Sequence, residues 1–392
     1  MRRPSSPKNT TAFFYSFLIM LVVSVFILNM IIAILFKKFL VSEYLRDLTW
    51  KVESISFMYI LEMENHYFSQ GIENNVKKLN FSKLLLENTI NLSLNDPRSF
   101  VRNVLPGFSS FDSKIIVAGE GTDYTNLPIE SSPPIEVLLK EREISEQNLK
   151  KLEEEIKQTE NTVKPPPLKK NTGNRKVMFI YHSHSRESFL PYLKGTSNEK
   201  TYHHSKINIT MVGKRLGEAL KNRGIGVEVD TTDIVAMLNR RNLDYSSSYE
   251  MSREIVASAK NSNRDLSYFL DIHRDSQPRK ITTVTINGKP YARLFFIVGK
   301  ENKNYEKNLA FAQKINTEIE KSYPGLSRGI IEKDNHSGNG VYNQDLSPNS
   351  VIIEIGGIEN TMDELYRTAD ALAEVLSQYY WNAAEVSNTP KK

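Results

Sequence analysis

Apolar and polar positions divide the chain into stretches of different character. Residues 11–36 form one apolar run with no charged residue and with Asn29 as its strongly polar interruption. At about 1.5 Å per residue such a helix spans a hydrocarbon core of roughly 30 Å with some tilt. A cleaved signal peptide would have a shorter apolar core, about 7 to 15 residues, and a small-residue cleavage site. Ile32-Ala33-Ile34-Leu35-Phe36-Lys37-Lys38 offers no such site, so an uncleaved anchor is expected. Arg2, Arg3 and Lys8 before the run nearly balance Lys37, Lys38 and Arg46 after it, which leaves its orientation open on charge alone.

Residues 37–135 have a mixed pattern. A helical period near residues 50–60 places Val52, Ile55, Met58 and Tyr59 together, and residues 114–118 form a short strand candidate. This stretch reads as an accessory domain or stalk. Residues 136–158 are rich in Glu, Lys and Leu, which suits a solvated helix, and Lys164-Pro165-Pro166-Pro167 stops any helix. There are too few heptads for a coiled coil, so residues 136–174 read as a linker.

From residue 175 to about 385 strand and helix periods alternate. Apolar runs at 177–181, 226–230, 267–272 and 351–355 predict strands. Helices are expected over 207–223 (closed by Gly224), 249–260, 305–323 (stopped by Pro324-Gly325) and 362–380, with a hairpin at 281–298 around Asn287-Gly288. This order predicts an α/β fold: a mostly parallel or mixed twisted sheet with helices on both faces and ligands at the carboxyl ends of strands.

Composition narrows the chemistry. The chain has 392 residues, 25% charged and 40% hydrophobic, an ordinary balance for folded protein. Its net charge of +5 is spread rather than gathered into basic blocks, so nothing marks a nucleic-acid partner. There is no cysteine, which excludes thiolate nucleophiles, disulfides and cysteine-held zinc; any metal must rest on His, Asp or Glu.

His184 follows the first strand of this region, His273 closes another, and Glu354 lies near the end of a third. A polar side chain on a buried run needs a compensating partner, and a metal is one. Two imidazoles and a carboxylate leave zinc a charge near +1, enough to bring the pKa of a bound water to about 7. Glu354 is then the candidate to move protons.

Five ordered stretches carry a family resemblance: residues 181–191, containing His182, His184, Arg186 and Glu187; Asp271-Ile272-His273-Arg274-Asp275-Ser276; and residues 323–330, 342–349 and 354–360, the last running from Glu354 to Asn360. The chain over about 176–380 resembles the stage II sporulation protein P family, related to zinc-dependent N-acetylmuramoyl-L-alanine amidases. The resemblance implies a Zn²⁺ ligand set of His184, Glu199 and His273, with Glu354 as the catalytic group. His182, two residues from His184 on an extended segment, is an alternative first ligand or a group that orients it. Glu187 competes with Glu199 as the carboxylate. Arg186 and Arg274 could grip a substrate carboxylate, and Asn360 is a further candidate for substrate contact or support. His203, His204 and His336 are expected in solvated loops.

The same resemblance implies a membrane-anchored peptidoglycan hydrolase of sporulation. It would cleave the amide between the glycan lactyl group and L-alanine, and peptide cross-links as an endopeptidase. It implies action in engulfment beside the stage II sporulation proteins D and M. A cytoplasmic N-terminus (residues 1–10) and an extracytoplasmic catalytic domain, in the intermembrane space during engulfment, go with it. The alternatives are a non-catalytic wall-binding scaffold and a zinc peptidase acting on protein.

Overall fold

The computed structural model describes residues 113–130, 133–162, 170–195 and 202–388. Nine strands lie among them: β1 Lys114–Ala118, β2 Met178–Tyr181, β3 Val227–Val229, β4 Tyr268–Asp275, β5 Thr283–Ile286, β6 Lys289–Ala292, β7 Leu294–Gly299, β8 Ser327–Lys333 and β9 Asn349–Gly357. Seven make one sheet in the order β1-β8-β7-β9-β4-β2-β3, and β5 and β6 pair separately. Strands β9, β4, β2 and β3 are parallel; β7 and β8 are parallel to each other, with β7 antiparallel to β9. The sheet is thus mixed, and the chain is α/β.

Among the described residues eight α-helices accompany it: α1 Ile135–Leu139, α2 Glu146–Thr162, α3 Ile209–Lys221, α4 Ile234–Arg241, α5 Ser248–Ser262, α6 Arg279–Thr282, α7 Tyr305–Ser322 and α8 Met362–Asn388. Alternate strand residues go to opposite faces. Met178, Ile180, Leu270, Ile272, Phe296, Ile353 and Ile355 join the main core with Leu216 of α3, Phe311 of α7 and Leu372 of α8. Phe179, Tyr181 and Phe269 pack on Val256 of α5, while Phe295, Ile297 and Ile352 pack on Tyr249 of the same helix. Burial on both faces is why these strands read as continuous apolar runs rather than alternating ones. Local chemistry sets the boundaries: the Asn208 side chain accepts the Thr210 N–H at the start of α3, and Asp233 accepts that of Ala236 at the start of α4. Asn287 and Gly288 take positive φ (50° and 76°) and turn β5 into β6.

Some elements differ from the sequence expectation. Strand β8 is fully buried although it carries Arg328, Glu332 and Lys333, and this charge hid its pattern. Lys114–Ala118, assigned from sequence to an accessory stretch, is the edge strand of the main sheet, antiparallel to β8. The chain after it is tied down as well: Arg328 donates to the Asn126 carbonyl, Gln277 to that of Leu127, and the Ile129 N–H to Asp275 Oδ1. Helix α2 is not wholly solvated, since Leu152 is buried in the main core and Glu155 accepts a hydrogen bond from the Tyr192 hydroxyl. Among the described residues no helix is long and apolar enough to cross a membrane. The expected anchor at 11–36, the Pro-rich stretch at 164–167 and Glu199 lie outside them.

Candidate metal centre

The chain leaves β2 at Tyr181 and turns over residues 183–186, so the segment is not extended beyond the strand. The Ser183 N–H donates to Asp271 Oδ1 (2.9 Å) and its hydroxyl to Oδ2 (2.6 Å), which ties the turn to β4. The Glu187 N–H donates to the His184 carbonyl (3.1 Å), and this closure puts the two side chains on one side. Nδ1 of His184 lies 3.4 Å from Glu187 Oε1. Strand β4 adds His273, whose Nδ1 is 3.8 Å from Glu187 Oε2 and whose Nε2 is 3.0 Å from Asp271 Oδ1.

His184, Glu187 and His273 therefore form one buried group whose donor atoms all lie within 4.8 Å of one another. They could hold a metal ion. The fit is supported by unspent valence, because His184 Nδ1 is buried without a hydrogen bond. Two imidazoles and one carboxylate are also a donor set suited to zinc.

Glu354 faces this group from β9, directly across from His273 in the parallel pairing. It is 4% exposed and its Oε2 has no hydrogen-bond partner. Burial pushes its carboxyl well above the usual carboxylate range; His273 opposes the shift, and Glu187, Asp275 and Glu130 add to it. Glu187 goes the other way: burial would raise it, but the close approach of the His184 and His273 rings and their charge hold it well below its ordinary value. For His273, burial disfavours the charge, yet Asp271 and then Glu187 hold it well above the usual histidine value.

The remaining sequence candidates have other places. His182 is outside the group: its Nδ1–H donates to the Asp230 carbonyl (2.9 Å), and its ring lies on Gly213 of α3. Burial, partly offset by Asp271, lowers its pKa to about 4. The guanidinium of Arg186 is neutralised by Asp233 (2.7 Å) and Glu141 (3.0 Å), tying the turn to α4 and to the chain after α1. Asn360 closes the end of β9, accepting the Gly357 N–H (2.7 Å) and donating to Glu364 (2.8 Å). Arg274 is buried beside Glu187, whose Oε2 accepts its backbone N–H (2.7 Å). His203 and His204 are buried, against expectation, because their segment returns to pair with the turn, His203 bridging Glu187. His336 is exposed.

Several neighbours escaped the sequence reading. Asp271 was visible in principle, since it precedes His273 by two residues and shares its face of the strand. Tyr245 stacks on His184 (ring centroids 4.8 Å apart) and Tyr249 lies 5.3 Å from it; both come from a different part of the chain and carry no local signal. Glu130, paired with Lys333 at 3.2 Å, is another such residue.

A profile described as Stage II sporulation protein P (SpoIIP) matches residues 95–377. The Stage II sporulation protein P of Bacillus subtilis (strain 168) is 47% identical over 331 residues, covering 84% of this chain and 82% of that protein. Among solved structures, the CwlD amidase from Clostridioides difficile in complex with the GerS lipoprotein aligns at 17% identity over 54% of this chain and 100% of that one, with a TM-score of 0.35. The putative N-acetylmuramoyl-L-alanine amidase from Neisseria meningitidis aligns at 12% identity over 52% of this chain and 96% of that one, TM-score 0.29. At such scores neither alignment bears on the reaction. The profile and the Bacillus relative both span most of the sequence, and the chain belongs to the stage II sporulation protein P family.

Proposed function

We propose that this protein is a zinc-dependent peptidoglycan hydrolase that cleaves the N-acetylmuramoyl-L-alanine amide, with endopeptidase action on peptide cross-links. The observation that carries the reading is the buried His184–Glu187–His273 group with Glu354 across from it, whose Oε2 has no hydrogen-bond partner among the described residues. Membership of a sporulation family supports the wall as substrate. In this reading Glu187 takes the carboxylate position that the family resemblance gave to Glu199.

A zinc ion held by His184, Glu187 and His273 would polarise the amide carbonyl and lower the pKa of a bound water. The protein's own residues do the rest. Asp271 holds the His273 ring by Nε2, and Ser183 carries the same carboxylate's restraint into the turn bearing His184. Glu354, buried across from the group with Oε2 unpartnered among the described residues, is placed to take a proton from water and return it to the leaving amine. The buried rings of Tyr245, Tyr249 and Tyr342 exclude bulk water, which strengthens charge interactions inside.

The proposal includes residues 11–36 as a membrane anchor and a catalytic region on the extracytoplasmic side working with the stage II sporulation proteins D and M. The test is mass spectrometry of fragments released from purified peptidoglycan by the full chain, wild type beside Glu354→Gln, with zinc measured on both. Free stem peptides from wild type alone, with zinc in both, are expected. A folded, zinc-loaded wild type that releases nothing, alone or with its partners, refutes the hydrolase.

A further inference from the structure

The wall of the metal group contains buried polar atoms with no hydrogen-bond partner among the described residues. Arg274 is 2% exposed, and among the described residues its guanidinium meets only uncharged acceptors: the Asp275 carbonyl (3.1 Å), the Tyr202 carbonyl (3.3 Å) and the Ser276 hydroxyl (3.4 Å). Its Nε has no partner. Arg186, Arg215 and Arg328 are at most about a tenth exposed in their side chains, and each is paired with a carboxylate. Arginine cannot shed its proton, so a buried guanidinium without a counter-ion is costly unless an anion arrives.

Two neighbours share this condition. His203 is 2% exposed with neither ring nitrogen hydrogen-bonded, and the hydroxyl of Tyr245, 3% exposed, is also unbonded. Their rings meet edge to face at 6.2 Å, and Tyr245 stacks on the metal-group residue His184. The His203 backbone bridges to Glu187, and the preceding carbonyl, that of Tyr202, receives the Arg274 side chain. Three elements therefore bring a guanidinium, an imidazole and a phenol to one side of the His184–Glu187 pair. The guanidinium through Nε, the imidazole through a ring nitrogen and the phenol through its hydroxyl each offer a donor with no described acceptor.

We propose that Arg274, His203 and Tyr245 form a carboxylate-binding subsite beside the metal group, fixing a carboxylate of the substrate peptide while its amide lies at the metal. The Arg274 Nε–H, on a guanidinium whose charge no described carboxylate offsets, together with a ring N–H and a hydroxyl, offers the charge and the donors that a carboxylate's oxygens accept. The inference rests on the amide-hydrolase reading and names the feature of the peptide that this site recognises.

The test is titration calorimetry of N-acetyl-alanyl-glutamate, and of the same peptide with its carboxylates converted to amides, into the zinc-loaded full chain. The wild type should prefer the carboxylate form by about tenfold or more, the usual effect of hydrogen bonds to a charged group. In Arg274→Gln that ratio should approach one, and in Tyr245→Phe it should fall severalfold. Tyr245→Phe removes a hydroxyl that has no partner among the described residues, so its melting temperature should not drop, and it keeps the test decisive if Arg274→Gln folds poorly. Equal binding of the two peptides by the wild type overturns the subsite; so does a preference that survives Tyr245→Phe and any folded Arg274→Gln, since it would belong to the metal. Carboxylate preference lost in the variants, in a protein that releases no wall fragments, would instead sink the hydrolase reading and keep the subsite.

Discussion

Replacing Asp271 by Asn tests whether one carboxylate aims both histidines. Oδ1 of Asp271 lies 3.0 Å from His273 Nε2 and accepts the Ser183 N–H, while Oδ2 accepts the Ser183 hydroxyl. The same side chain thus fixes the ring of one donor and the turn that presents the other. Asparagine removes the charge opposite the His273 ring and turns one acceptor into a donor, leaving the fully buried site short of an acceptor. Loss of such a partner typically costs about 10- to 100-fold in metal affinity, equivalent to about 1.4 to 2.7 kcal/mol. Competition between the full chain and a chromophoric zinc chelator measures it, with circular dichroism of the metal-free protein as the check on folding. Ser183→Ala, which loses the hydroxyl bond and keeps the backbone one, should lose less. A folded Asp271→Asn variant that holds zinc as tightly as wild type refutes the reasoning.

Glu354→Gln should keep zinc and fold and lower wall-fragment release by about 10² to 10⁴-fold, the usual worth of a general acid–base group; release at the wild-type rate would remove Glu354 from the chemistry. At Gly213 an added Cβ would fall 2.1 Å from His182 Nε2, and that ring is held by Asp230. Gly213→Ala should therefore destabilise by about 1 to 3 kcal/mol, despite alanine's better helix propensity, and calorimetric melting reads the sign. Arg328→Ala strands the buried carboxylate of Asp275 and should cost about 3 to 5 kcal/mol in chemical denaturation. Arg253 hydrogen-bonds Asp345 and holds its carboxyl below the ordinary 3.8 against the pull of burial. The stabilisation is present above that ordinary value and fades as pH falls through the folded one. Arg253→Ala should accordingly move acid unfolding to higher pH, followed by fluorescence.

What could be read from sequence, and what could not, follows from how far each signal reaches along the chain. Strands β2, β4 and β9 are apolar on both faces, so each announced itself within five or six residues, and the polar residues at their ends stood out against that background. His184, His273 and Glu354 were legible for that reason. Strand β8 was not, because Arg328, Glu332 and Lys333 are buried in it by partners distant in sequence: Asp275, Tyr305 and Glu130. The carboxylate of the metal group turned on a smaller matter. An extended segment after Tyr181 would put His182 and His184 on one face, whereas a turn puts His184 beside Glu187 three residues on. The spacing His-x-x-Glu is compatible with either, and what selects the turn is the grip of Asp271 on Ser183, 88 positions away. Tyr245 and His203 stand one step further off, since each reaches the site through contacts with a residue that the turn itself had first to place. A candidate site in this fold is therefore visible from sequence as far as its strand ends, and the loops that complete it become visible only once the strand order is known.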